Sequence, residues 1–113
     1  ENEDISKLST ETDKNFITQL RRIIQVNLAD SDLSVEKIGD EIGLSRVQLY
    51  RKVKALTGYS PVEMLRKARL ARARQLLQTT DKNVSEVAYA VGFSTPSYFS
   101  KCYKEEFGES PKK

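Results

Sequence analysis

The chain has 113 residues, 38% of them hydrophobic and 31% charged, the size and balance of one small polar domain or two very small ones. It contains no histidine and a single cysteine, Cys102, which excludes histidine acid–base chemistry, Cys/His zinc sites and intrachain disulfides. The net charge of +3 is unevenly placed: residues 1–20 hold two lysines against five acids, a net −3, so residues 21–113 carry +6.

Glu1 to Thr12 is polar and without a strong apolar period, and reads as a linker or tail, which leaves 13–113 as the folded part. From Asp13 the spacing of Phe16, Leu20, Ile23, Ile24 and Asn27–Leu28 predicts a first helix, ended by Asp30-Ser31-Asp32. Ser34 caps a short second helix with Val35, Ile38 and Ile42 on its apolar face and Gly43 as its stop. Ser45 and Gln48 form a capping box opening a third, whose apolar face is Leu49, Val53 and Leu56 and whose stop is Gly58. Ser60-Pro61-Val62-Glu63 is a strong start signal for a long helix to about Gln78, which at ~1.5 Å per residue spans roughly 28 Å. Asn83 and Glu86 box a fifth helix carrying Val84, Val87 and Val91, stopped by Gly92. Thr95-Pro96 opens the last, whose inner face is Phe99, Tyr103 and Phe107 and whose stop is Gly108; Tyr98 is also placed in the core. No stretch alternates like a strand, so the fold class is all-α.

An internal repeat organises these elements. Val35, Ile38, Ile42, Gly43, Leu44, Ser45 recurs 49 residues later as Val84, Val87, Val91, Gly92, Phe93, Ser94. After one inserted residue the offset is 50, pairing Leu49 with Phe99, Arg51 with Lys101, Lys54 with Lys104, Gly58 with Gly108 and Ser60-Pro61 with Ser110-Pro111. Each copy is a short helix, a glycine-centred turn and a second helix, the helix-turn-helix arrangement. The expected layout is a first subdomain over 13–58, a connecting helix over 60–79 and a second subdomain over 80–113.

The outward faces carry the chemistry. Opposite the first apolar face lie Val47, Tyr50, Arg51 and Lys54, with Arg46 at the tip; opposite the second lie Ser97, Ser100, Lys101 and Lys104, with Thr95 and Pro96 at the tip. Both sets share one stripe of a helix. Arg51 can fork to guanine O6 and N7, Val47 can touch a thymine methyl, serines can bond base edges or phosphates, and lysines suit phosphates. Residues 45–58 hold Arg46, Arg51, Lys52 and Lys54 with no acid, and residues 60–79 hold Arg66, Lys67, Arg69, Arg72 and Arg74 against Glu63 alone, which suits a polyanion. Within the connecting helix, Arg69 and Arg72 read as structural or solvated, one of them tying the two lobes. A helix of roughly 28 Å between the repeats lets one monomer reach successive major grooves ~34 Å apart.

The stretch from Leu33 to Pro111 resembles the AraC/XylS-type DNA-binding domain. The resemblance rests on Gly43-Leu44-Ser45, Leu49-Tyr50-Arg51-Lys52, Leu56-Thr57-Gly58-Tyr59-Ser60-Pro61, Arg66-Lys67-Ala68-Arg69-Leu70, Val87-Ala88-Tyr89-Ala90-Val91-Gly92-Phe93, Ser97-Tyr98-Phe99-Ser100-Lys101 and Phe107-Gly108-Glu109-Ser110-Pro111. It implies a bilobal fold of about six to seven helices, one reading helix per lobe, and transcription control. The N-terminal half is similar to the output domains of hybrid two-component regulators. Gly39 departs from the usual alanine of the family and is expected to weaken its short helix by up to ~1 kcal/mol. A final short helix is expected to be absent.

The partner these features point to is double-stranded promoter DNA, with RNA polymerase as a further candidate, no cofactor, no metal and no catalytic residue. No apolar run approaches a membrane span, and the lone thiol fits a reducing cytoplasm. The isolated domain is expected to be monomeric and a longer parent protein dimeric. The alternative is a basic helical module that docks an acidic protein partner.

Overall fold

The structure, a computed structural model, describes residues 11–112. Within them lie six helices and no strand: α1 Glu11–Asn27, α2 Val35–Ile42, α3 Arg46–Thr57, α4 Pro61–Thr79, α5 Val84–Ala90 and α6 Pro96–Phe107. The tail expected over 1–12 lies outside the described residues except for Glu11 and Thr12, which form the start of α1. Their acid-rich first turn, Glu11 and Asp13, suits the positive end of a helix.

The chain divides into two compact units. The first holds α1 up to Val26, α2, α3 and residues up to Met64. Its buried side chains include Phe16, Leu20 and Ile24 of α1, Ile38 of α2, and Leu49 and Val53 of α3, the faces read from the helical period. α2 packs on α3 through a tight turn, in which the Leu44 N–H donates to the Gly39 carbonyl at 2.9 Å. Gly39 has a positive reason to be there: a Cβ on it would sit 2.7 Å from the Leu44 carbonyl oxygen. The glycine admits that backbone approach, so it is more than a weak helix former.

The second unit holds Asn27–Asp32 and the chain from Leu65 onward. Leu28 lies past the end of α1 and is buried against Leu70, Leu77 and Val91 in this second core, so it does not extend the α1 face as its spacing suggested. α5 packs on α6 with the same turn bond, Phe93 N–H to the Ala88 carbonyl at 3.0 Å. A file of edge-on rings runs along α6, Phe93–Phe99 at 5.2 Å, Phe99–Tyr103 at 5.7 Å and Tyr103–Phe107 at 4.6 Å. Tyr98, expected in the core, instead leans on Phe93 at 5.9 Å with half its surface in solvent. Cys102 is buried, filling space beneath α6.

Most cations of α4 serve its own unit. Arg69 donates to the carbonyls of Leu28 and Asp30, Lys67 pairs with Glu106 at 3.0 Å, Arg72 bonds Gln75 at 2.6 Å, and Arg74 lies 4.6 Å over the Phe107 ring. Both acceptors of Arg69 belong to the second unit, so Arg69 fastens that unit internally. Burial lowers its pKa from the ordinary arginine value while the nearby Asp30 carboxylate opposes the shift.

Candidate nucleic-acid interface

Each unit presents one helix whose rotation is fixed by its buried side. In α3, the Ser45 hydroxyl accepts from the Gln48 N–H at 3.2 Å and the Gln48 side-chain Oε1 accepts from the Ser45 N–H at 3.0 Å. Leu49 and Val53 are fully buried beneath. The opposite side then shows Val47, Tyr50, Arg51 and Lys54 to solvent, with Val47 59% and Tyr50 48% exposed. Large apolar side chains left this open on a helix already pinned by its other face are available for a partner.

The cations on this face differ in their state. Arg46 is held by Glu36 of α2 at 2.7 Å. Among the described residues, no ion pair or hydrogen bond engages the Arg51 guanidinium. Lys54 sits in the last turn of α3, where the helix dipole favours a cation. Lys52 turns the other way, toward Asp13 at 3.9 Å and over the Phe16 ring at 4.9 Å, so it leaves the outward cluster in which the sequence grouped it.

In α6, the Thr95 hydroxyl accepts from the Tyr98 N–H at 3.2 Å and Pro96 fills the first turn, where no amide donor is needed. Phe99, Cys102 and Tyr103 point inward. Ser97, Lys101 and Lys104 are exposed and Ser100 is half-buried. Lys104 repeats the last-turn position of Lys54. All eleven residues singled out in the sequence thus fall on or at the start of these two helices, five in the first unit and six in the second. Two residues beside these faces were not singled out in the sequence. Glu36 gates Arg46 from ten residues away, a distance that helical periodicity does not report. Val62, 49% exposed at the start of α4, faces the same hollow as Val47 and Tyr50 and carries no motif of its own.

No cluster of three or more His, Cys, Asp or Glu side chains fit to hold a metal occurs among the described residues, and no helix there is long and apolar enough to cross a membrane.

Residues 38–113 match the protein family described as "Helix-turn-helix domain". A curated relative, Histidine kinase P4 of Formosa agariphila, is 39% identical over 99 residues, covering 88% of this chain and 7% of the kinase. Other curated relatives are matched over about a third of their length, 35% and 34% for two of them. The C-terminal domain of AraT, a response regulator from Geobacillus stearothermophilus, superposes with a TM-score of 0.81 at 33% identity, covering 93% of this chain and 83% of that one. The DNA-binding domain of AdpA, a global transcriptional factor solved in complex with a target DNA, superposes with a TM-score of 0.78 at 29% identity, covering 83% of this chain and 84% of that one. Family match, fold and the doubled turn agree: this chain belongs to the AraC-type family of helix-turn-helix DNA-binding domains.

Proposed function

We propose that the chain is the sequence-reading output domain of a bacterial transcription regulator, α3 and α6 each entering a major groove of double-stranded DNA. The observation that carries this is the repetition, in register, of one capped helix with a buried apolar side and a cationic outward side. An all-helical bundle with no binding role has no reason to keep Arg51 and Lys101, or Lys54 and Lys104, at matched outward positions. One monomer engaging adjacent grooves is part of the same proposal. Likeness to a response-regulator domain and to a histidine kinase supports a place at the end of a two-component system, in the cytoplasm. Contact with RNA polymerase and dimerisation through other domains of a longer protein belong to the same proposal.

In the division of roles, Arg51 and Lys101 read base edges, Val47 and Tyr50 add apolar contact, and Ser97 and Ser100 bond bases or phosphates. Lys54 and Lys104 neutralise phosphates, with Arg46, Thr95 and Pro96 at the helix tips closest to the backbone. The proposal assigns none of these groups a catalytic role. The test is the salt dependence of binding to a mixed duplex pool, read by fluorescence anisotropy. A log–log slope of about −0.9 per neutralised phosphate, amounting to several phosphates, is expected. A slope near zero overturns the proposal and favours a module that docks an acidic protein.

A further inference from the structure

Beside the outward face of α3 is an open hollow of about 470 Å³. Val47 and Tyr50 of α3 and Pro61 and Val62 at the start of α4 give it apolar walls, and Arg46 and Arg51 line it as well. Stability does not account for these walls, since Val47 is 59% and Val62 49% exposed. The repeat makes the same point. At the equivalent positions of the second unit, 50 residues on, Val47, Tyr50 and Val62 become Ser97, Ser100 and Lys112. An apolar lining is therefore not a requirement of the helix-turn-helix fold.

The occupant is set by what surrounds the hollow. Two guanidiniums select a polyanion, and the lining shares four residues with the face proposed to read DNA, so a duplex on that face covers the hollow. The apolar feature a base pair offers in the major groove is the C5 methyl of thymine. Valine side chains cannot hydrogen-bond a base edge, and water trapped between them and a methyl group would leave that apolar surface wet. We infer that the hollow is a thymine-methyl subsite beside the guanine-reading Arg51, and that Val62, which lies outside the helix-turn-helix itself, is a specificity-determining residue. The two boxes of the target are then unlike: the first unit is sensitive to thymine methyls, and the second, with Ser97, Ser100 and Lys112 at the equivalent sequence positions, is not.

This inference rests on the proposed DNA-reading function, and the experiment separates the two. A duplex recovered by selection from a random pool is resynthesised with each thymine in turn replaced by deoxyuridine, which removes only the methyl. The expected result is a loss of about three- to fivefold per buried methyl in one box and none in the other. Val62→Ala, at an exposed position, is expected to fold normally and to shrink that loss to within about twofold, as is Val47→Ala. A duplex that binds tightly yet ignores every methyl removal overturns the subsite while leaving DNA reading intact. So does a methyl penalty that Val62→Ala leaves unchanged. Failure to recover any preferred duplex overturns both.

Discussion

The Nε–H of Arg69 donates to the Leu28 carbonyl at 2.9 Å, across 41 residues of sequence. A second nitrogen of the same guanidinium donates to the Asp30 carbonyl at 2.7 Å. One planar fork thus satisfies two backbone carbonyls just past the end of α1, a geometry that a single ammonium cannot reproduce. Arg69→Ala is expected to destabilise the domain by about 2 kcal/mol, because bonds to a charged donor are lost and carbonyls are left unpaired. Arg69→Lys is expected to recover less than half of that. Urea unfolding followed by circular dichroism checks both, and equal stability of Arg69→Lys and the parent would contradict the fork.

The same spot fixes a glycine. Gly92 has φ 93°, and a Cβ on it would collide with the Leu28 carbonyl oxygen and lie 2.9 Å from Arg69 Nε. Its repeat mate Gly43 has φ 87° but nothing within 4 Å of the corresponding position. Gly43→Ala therefore meets only left-handed backbone strain, about 1–2 kcal/mol. Gly92→Ala meets that strain and a backbone clash, and is expected to cost at least about 2 kcal/mol more. Thermal melts of the two variants give the comparison directly; equal losses would remove the clash from the account.

Arg46 is the cation whose availability can be changed without touching it. Its partner Glu36 places an anion beside the reading face, at 2.7 Å, in an exposed pair whose net stabilisation is about 0.5 kcal/mol or less. Glu36→Gln is expected to leave the melting temperature nearly unchanged and to tighten duplex binding about two- to fivefold by removing the anion and releasing Arg46. Unchanged or weaker affinity would place Arg46 away from the DNA.

Arg51 and Lys54 occupy one stripe, and the different duties proposed for them predict different losses. Arg51→Ala is expected to cost about 1–3 kcal/mol on the preferred duplex and to relax discrimination at one base pair. Lys54→Ala is expected to weaken all duplexes alike and to reduce the salt slope by about 0.9. Competition binding with point-substituted duplexes distinguishes the two, and uniform weakening by Arg51→Ala would reassign it to a phosphate.

Much of this molecule was legible in its sequence for local reasons. Capping boxes at Ser45–Gln48 and Asn83–Glu86, and glycine stops at Gly43, Gly58 and Gly108, are contacts within a few residues, and all appear as read. The rest depended on contacts far apart in the chain. Leu28 joins the second core and not the α1 face, Lys52 turns inward to Asp13 and Phe16, and α4 directs most of its cations to its own unit. Charge counting places those residues on a helix without saying which way they face. The outward stripes were recoverable because a fully buried Leu49 or Phe99 fixes where their neighbours point. Val62 was not, because the hollow it lines is built by residues of α2, α3 and α4 together.

Both repeats are proposed to read boxes of one duplex. Selection of bound duplexes from a random pool at ~150 mM salt, where surface charges are screened to within ~8 Å, tests it most directly. The expected result is a motif of two short boxes centred about one helical turn apart, the first altered by Arg51→Ala and the second by Lys101→Ala. Recovery of no motif, with binding lost at that salt, would contradict it and leave only a nonspecific basic surface.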